Sequence, residues 1–297
     1  TIDGDFSILQ GSAGTERSVR TLENFAVVSD TSPEGPSGED GLFDLDELTT
    51  AALLDAAYTE TQWRDGVVAR CRAATAPVAH PQILKEDGSV YVAAGSVDVG
   101  GACDVLDAWD GHYNVDSEGA ALWREFTEAV DFDELWGQAF DGAKPAVTPA
   151  GLGAVPDGVE DPVLVGLALA VALLTNAGFA LDVPLGEVQY DGRSPDERLP
   201  VPGGLGSEGV TNVVSASSRS STEEQQPEFP EPLIEDSTLT TDGYPITYGT
   251  SFLMAVAYGP DGPEARTILT YGQVGDPALP GFTSGVKAFA AKQWKTI

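Results

Sequence analysis

Residues 247–258, TYGTSFLMAVAY, become continuously apolar in their second half. A strand that exposes one face to water alternates polar and apolar residues, whereas a strand covered on both faces does not have to. Residues 259–262, GPDG, have strong turn chemistry, and residues 265–271, ARTILTY, then return as a second strand. The pattern predicts an antiparallel hairpin covered on both faces, and hence a layered α/β-type protein rather than an all-helical one.

Apolar residues recur at helical spacing in several other parts of the chain. Their spacing of three and four in residues 45–72 predicts one or two amphipathic helices. Residues 162–177 form the most apolar of the predicted helices, which Asp161 caps at its start and Gly178 ends. Further helices are predicted at 102–109, 120–130 and 284–295, and a small surface hairpin at 77–94.

The chain of 297 residues carries 47 acidic and 15 basic residues, a formal net charge of −32. A field of this sign repels phosphate, so we expect neither nucleic acid nor an anionic membrane as a partner. Acidic charge spread along the chain suits solubility at high salt, and we prefer a salt-tolerant source to an acidic binding function. No apolar run approaches the roughly 18 residues that span a bilayer, and no charged-then-apolar signal segment opens the sequence.

The residue types that most often carry chemistry are scarce. Cys71 and Cys103 are the only cysteines, and such a pair in a secreted chain favours one disulfide over two buried thiols. His80 and His112 are the only histidines, and neither has a cysteine or a carboxylate pair at metal-ligand spacing. Both are expected to be surface or structural residues, and no Ser/His/Asp arrangement for nucleophilic catalysis is evident.

Three short motifs have a functional and a structural interpretation. Residues 204–209, GLGSEG, match G-x-G-x-x-G, but prolines precede them and a strand-like run follows, which favours a glycine-rich turn over a dinucleotide loop. Asp131, Asp133 and Glu134 could bind calcium, although carboxylates at the start of a helix are usually caps. Ser117 is expected to cap the helix that begins near residue 120 rather than to act as a nucleophile.

Short segments along nearly the whole chain resemble, in the same order, the C-terminal half of the β subunit in the penicillin acylase family. The resemblance is to the branch of acylases that act on aculeacin A and acyl-homoserine lactones. The segments are 14–21 (GTERSVRT), 69–71 (ARC), 102–110 (ACDVLDAWD), 116–120 (DSEGA), 145–149 (PAVTP), 151–152 (GL), 184–189 (PLGEVQ), 201–204 (VPGG), 248–252 (YGTSF) and 269–273 (LTYGQ). Their shared order, more than any single segment, indicates common ancestry.

The resemblance implies an α+β fold, as a portion of an αββα N-terminal-nucleophile hydrolase sandwich with a largely helical insertion. Residues 1–297 would form the C-terminal part of the acylase β-subunit domain. Within it, residues 28–160 would be a mainly helical outer region and residues 184–297 a sheet-forming region with an exposed loop at 215–240.

The resemblance also implies an amidohydrolase whose N-terminal serine supplies both the hydroxyl nucleophile and, through its α-amine, the base. This serine and the oxyanion-binding asparagine would lie upstream of Thr1, so companion chains would carry the serine and the α subunit. Arg20 matches the arginine that supports the oxyanion site, with a structural salt bridge as its alternative role. We expect no cofactor for the chemistry, a possible structural calcium, a secreted location (extracellular or periplasmic), and an N-acylated small molecule as substrate.

Two alternatives to this interpretation remain. The chain departs from the family pattern at Val274, where a serine usually follows Y-G-Q, and near residues 284–285, where an Asp-Gln pair is usual. These departures favour a non-catalytic extracellular binding or assembly subunit that kept the scaffold. Thr1 could itself be an N-terminal nucleophile, but residues 2–5, IDGD, indicate an exposed turn rather than the buried strand that such a nucleophile begins.

Overall fold

The structure is a computed structural model that describes Val19 and residues 44–144, 147–156, 158–194, 197–216, 230–272, 274–279 and 281–297. Its helices are α1 (Leu45–Ala52), α2 (Tyr58–Ala73), α3 (Gly100–Ala108), α4 (Ala120–Glu128), α5 (Phe132–Leu135), α6 (Pro162–Ala177), α7 (Leu185–Val188) and α8 (Ser284–Ala290). Its strands are β1 (Val78–His80), β2 (Ile83–Leu84), β3 (Val90–Val92), β4 (Gly95–Val97), β5 (Trp136–Gln138), β6 (Ala150–Leu152), β7 (Gln189–Asp191), β8 (Val214–Ser215), β9 (Tyr244–Ile246), β10 (Tyr248–Gly249), β11 (Phe252–Gly259), β12 (Gly262–Leu269) and β13 (Lys295–Thr296).

The helices predicted from apolar spacing are present, and four of them form the main core. Helix α2 packs against α3 and α6, and α6 packs against α4. Gly166 allows the last contact to be close, because a Cβ at this position would lie 2.3 Å from Cγ1 of Val130. Cys71 on α2 and Cys103 on α3 form the expected disulfide, and both residues are buried.

Helix α6 shows how local sequence signals define its ends. The Asp161 carboxylate accepts a hydrogen bond from the backbone N–H of Val163 at 3.0 Å, and Pro162 occupies the first helical position. Gly178 ends the helix in the left-handed conformation with φ of +89°. The predicted bounds of this helix, 162–177, are confirmed.

The strands form small sheets, most of them of two strands. The parallel pair β7–β9 joins residues 189–191 to residues 244–246, and the largest sheet is antiparallel with the order β11-β12-β13. This mixture of helices and small sheets fits the α+β class. The described residues do not by themselves form the two-sheet sandwich that the resemblance implies.

The hairpin predicted for residues 247–271 is present, but described elements cover only one of its faces. Strand β11 pairs with β12 from Phe252↔Leu269 to Gly259↔Gly262, and the turn lies where the sequence predicts it. Helix α1 covers one face, on which Ala255 and Ile268 are buried. The prediction that both faces of the hairpin are covered is wrong for the described part of the chain, because no described element covers the opposite face.

The C-terminal segment differs from the predicted helix at 284–295. Helix α8 ends at Ala290, and Lys292 has a left-handed backbone with φ of +50°. The chain therefore turns, and Lys295–Thr296 extends the sheet as β13 beside β12. Backbone hydrogen bonds close this turn, from Lys292 N–H to the Phe289 carbonyl and from Gln293 N–H to the Ala288 carbonyl. The Lys292 ammonium group reaches the carbonyl oxygen of Leu53 and lies 3.5 Å from the Asp55 carboxylate. None of the helices in the described part of the chain combines the length and apolar character needed to cross a bilayer.

Candidate functional site

The residue that the sequence analysis assigned to catalysis, Arg20, lies outside the described residues, as does Thr1. Its neighbour Val19 is described and is buried, with 1% of its surface exposed. Two features of the described part have a distinctive chemistry: a polar cluster buried beside α4, and the uncovered face of the β11–β12 hairpin.

The buried polar cluster is centred on helix α4, which is enclosed on all sides. Every residue from Ala120 to Thr127 is buried, including Arg124 at 1% exposure and Glu125 at 2%. Charged side chains are rarely buried this completely unless other groups compensate their charge. We call the following set the Arg124 cluster: Tyr113, Arg124, Glu125, Thr127, Gln189, Glu208, Ser237 and Tyr244.

Arg124 connects α4 to the parallel strand pair. Its Nη1 donates a hydrogen bond of 2.6 Å to Oε1 of Gln189 on β7, and its guanidinium lies 4.3 Å from the ring centre of Tyr244 on β9. Gln189 in turn donates to the carbonyl oxygens of Val201 and Gly203 at 2.7 and 2.8 Å. The side chain of Arg124 thus holds one helix, both strands of a sheet and the following loop in one arrangement.

Glu208 is satisfied by three donors from distant segments. One carboxylate oxygen accepts from the Tyr113 hydroxyl and, at 3.1 Å, from the Thr127 hydroxyl. The other oxygen accepts from the backbone N–H of Leu205 at 2.8 Å. Glu208 belongs to the G-x-G-x-x-G segment, which forms a short 3₁₀ helix before strand β8. The glycine-rich turn interpretation is confirmed, and the acidic residue inside it has a structural role that the sequence analysis missed.

Glu125 lies on helix α4, next to Arg124 in the sequence. One of its carboxylate oxygens accepts from the hydroxyls of Tyr244 and Ser237, the latter at 3.0 Å. Burial raises the pKa values of Glu125 and Glu208, and the guanidinium of Arg124 opposes the rise in both. Removal of the cation would therefore leave buried acids with no compensating charge.

Glu128 lies at the end of α4 and is half-buried, whereas Glu125 and Glu208 are buried. Burial raises its pKa to about 7, Arg124 opposes the rise, and the charges of Glu208, Glu125 and Asp236 add to it. A carboxyl group with this pKa changes its charge near neutral pH.

A second buried acid, Asp55, lies between α1 and α2 and is fully buried. Its Oδ1 accepts from the side-chain amide of Asn212, and its Oδ2 faces the Lys292 ammonium group at 3.5 Å. Burial raises the pKa of Asp55, and Lys292 opposes the rise. This ion pair fastens the C-terminal segment to the helical core.

The remaining candidate residues have structural roles. Nδ1 of His80 lies 2.8 Å from the carbonyl oxygen of Pro81, and Nδ1 of His112 lies 3.1 Å from that of Leu54. Ser117 does not cap α4, so that expectation was wrong. Its hydroxyl donates to Asp110 at 2.9 Å, and the residue before α4 is Gly119, with φ of +99°.

No cation site is present among the described residues at the positions considered for calcium. Residues 132–135 form the short helix α5, and the side chain of Asp133 lies outside the described part. The described part of the chain contains no group of three or more Asp, Glu, His or Cys side chains that could hold a metal ion.

The uncovered face of the hairpin is apolar, and we call it the hairpin face: Phe252, Met254, Val256 and Tyr258 with their cross-strand partners on β12. Phe252, Met254 and Tyr258 are 54%, 58% and 86% exposed. Strand β11 is also at an edge, since among the described strands it pairs only with β12. A contiguous apolar face beside an unpaired edge is typical of a surface that another segment covers.

The helices and small sheets of the described residues fit the α+β class. The sequence model of the family described as Penicillin amidase matches residues 40–297. The chain belongs to the penicillin amidase family, which confirms the resemblance stated from the sequence.

Characterised relatives include the Aculeacin-A acylase of Actinoplanes utahensis, which is 30% identical over 298 residues. That similarity covers 98% of this chain and 32% of the relative. The acyl-homoserine lactone acylases PvdQ of Pseudomonas putida and Pseudomonas fluorescens are 30% and 27% identical, over 68% and 67% of this chain and 23% of each relative. The chain therefore spans a third or less of the length of these proteins.

We expect Arg124→Met to lower the free energy of unfolding by about 3 to 5 kcal/mol, because it leaves Glu125 and Glu208 buried without their cation. Urea unfolding followed by circular dichroism measures the change. Arg72→Met is the matched control, since Arg72 is 51% exposed and pairs with Asp107 on the surface, where such a pair contributes less than about 1 kcal/mol. Equal losses in the two variants would contradict a central role for Arg124.

We expect Glu128→Gln to stabilise the protein by about 1 to 3 kcal/mol at pH 8 and to have little effect at pH 4.5. The folded state raises the pKa of Glu128 from 4.5 to about 7, so the folded protein holds the proton more tightly than the unfolded chain. The stability that Glu128 contributes is therefore present below about pH 4.5 and is lost as the pH rises through about 7.

Urea unfolding of both proteins between pH 4.5 and pH 8 tests this dependence. Glu160→Gln, at an exposed position, controls for the loss of one negative charge from the acidic chain. A difference between Glu128→Gln and wild type that stays constant over this range would refute the role of Glu128.

Proposed function

We propose that this chain is the C-terminal part of the β subunit of a secreted acylase that hydrolyses the amide bond of N-acylated small molecules. The carrying observation is the similarity to Aculeacin-A acylase, which extends over 98% of this chain but only 32% of that relative. The substrate classes follow from the relatives: lipopeptides, acyl-homoserine lactones or penicillin-like amides.

The reaction would pass through an acyl-enzyme. The hydroxyl of an N-terminal serine attacks the amide carbonyl while its own α-amine accepts the hydroxyl proton. The amine product leaves with a proton, and water then hydrolyses the ester and releases the acid. An asparagine side chain and a backbone N–H stabilise the oxyanion. Serine and asparagine lie outside this chain, and Arg20 supports the asparagine by charge and hydrogen bonding.

The hairpin face is the feature of the structure that argues for a companion polypeptide. An eight-residue edge strand with an exposed apolar face can continue a sheet and pack against another layer. The polypeptide that carries the serine would supply the neighbouring strands, and the α subunit would complete the enzyme. The chemistry uses no cofactor, and we assign no calcium site to the described residues, because they do not form a suitable group of ligands.

The direct test is the intact mass and N-terminal sequence of whatever co-purifies with the chain, combined with turnover of a chromogenic acyl amide. We expect a partner that begins with serine and measurable release of the chromophore. Replacement of that serine by alanine should abolish turnover without dissociating the partner. A chain that purifies alone, folded and inactive toward acyl amides would refute the acylase.

The second candidate is a non-catalytic extracellular binding or assembly subunit that retains the acylase scaffold. Val274, in place of the usual serine after Y-G-Q, and the altered sequence near residues 284–285 favour it. The same experiment separates the two functions, because both kinds of subunit can bind a companion chain but only the acylase releases the chromophore.

We expect Met254→Glu to reduce recovery of the companion polypeptide and acyl-amide turnover at least tenfold, because it buries a charge in the apolar contact. Its effect on the unfolding of the chain alone should be small, since Met254 is 58% exposed. Val159→Glu places the same charge at an apolar residue that is 57% exposed and lies outside the hairpin. It should change neither the recovery of the companion polypeptide nor the acyl-amide turnover. Equal recovery with both variants would exclude the hairpin face as the contact.

A further inference from the structure

A cavity of about 340 Å³ lies between the end of α4, the middle of α6, the β1–β2 turn and the loop at residues 234–236. This volume is at the lower end of the range of about 300 to 1,000 Å³ that small-molecule sites occupy. The cavity lies outside the Arg124–Gln189–Tyr244 contacts and is separate from the hairpin face.

One part of the cavity wall is acidic. Glu125, Glu128, Glu235 and Asp236 line it, and neither lysine nor arginine is among the described residues of its lining. Glu235 and Asp236 are exposed at the mouth, Glu128 is half-buried, and Glu125 is buried at the floor. The negative charge of this part of the wall therefore favours a positively charged occupant.

Two of these carboxylates have hydrogen-bonding capacity that the described residues leave unused. Tyr244 and Ser237 donate to Oε1 of Glu125, but no described group donates to its Oε2. The Glu128 carboxylate has neither a hydrogen bond nor an ion pair within the described part of the chain. The backbone carbonyl end of α4 lies at the same place and adds partial negative charge.

The rest of the wall is apolar. Ile83 and Leu173 are buried, and Leu169 and Ile234 are half-buried against the cavity. A bare metal ion would not use these walls, and the described carboxylates form no group suited to hold one. An organic cation with a hydrocarbon chain matches both parts of the cavity.

We propose that this cavity binds a small primary alkylammonium ion. The ammonium group lies between Glu125 and Glu128, and the alkyl chain lies against Leu169, Leu173 and Ile83. This binding site is independent of the acylase reaction, since it requires no nucleophile and no companion polypeptide.

Isothermal titration calorimetry of the protein with hexylammonium chloride at pH 8 tests the proposal. We expect saturable binding of one hexylammonium, weaker binding of methylammonium because it lacks the chain, and no binding of hexanoate. Glu128→Gln should weaken hexylammonium binding about tenfold, as expected for loss of a charged hydrogen-bond acceptor. Glu160→Gln, at an exposed glutamate away from the cavity, should leave the affinity within about twofold of wild type.

Leu169→Ala separates the apolar contact from the charge. It should weaken hexylammonium binding severalfold and leave methylammonium unchanged, because it shortens only the wall that faces the chain. Circular dichroism confirms that each variant is folded. The absence of saturable hexylammonium binding, equal binding of 1-hexanol, an equal effect of Glu160→Gln, or stoichiometric calcium binding that Glu128→Gln abolishes would each overturn the proposal.

Discussion

The folded arrangement depends on one buried cation. Arg124 lies on a helix that is enclosed on every side, bonds to Gln189 on one strand of the parallel pair and stacks against Tyr244 on the other. Placing a guanidinium in this position is costly unless its neighbours compensate the charge, and the adjacent acids do so. The residues of the Arg124 cluster come from separate parts of the chain, namely residues 113–127, 189, 208 and 237–244. The cluster therefore forms only when those parts have reached their native positions. It therefore selects one arrangement among the many that an apolar core alone would tolerate.

The described part of the chain is closed on one side and open on the other. Helices α2, α3, α4 and α6 pack together and contribute many of the buried apolar side chains, and the disulfide joins two of these helices. The β11–β12 hairpin contacts α1 and α8, and none of the described elements covers its other face or pairs with its β11 edge. The relatives in the penicillin amidase family are at least about three times as long as this chain, and in the proposed acylase the uncovered surfaces would face the companion polypeptide.

Features with a local physical cause could be predicted from the sequence. Asp161 and Gly178 define the ends of α6 through a cap and a left-handed glycine, and the GPDG turn places the hairpin register. Features that depend on distant partners could not. Arg124 and Gln189 are 65 positions apart, and nothing near either residue in the sequence indicates their contact. The same limit applies to Lys292, whose ammonium group contacts Leu53 and Asp55 in a distant part of the sequence.

The hairpin face gives the acidic composition a second physical meaning. Two copies of the chain could pair through their β11 edges, since each edge presents unpaired backbone groups beside apolar side chains. A net charge of −32 on each copy opposes this approach through long-range repulsion. Salt shortens that repulsion to a few ångströms, which favours compaction of each molecule but also removes the barrier between molecules. At high salt, an uncovered chain is therefore expected to self-associate unless another segment has already paired with its β11 edge.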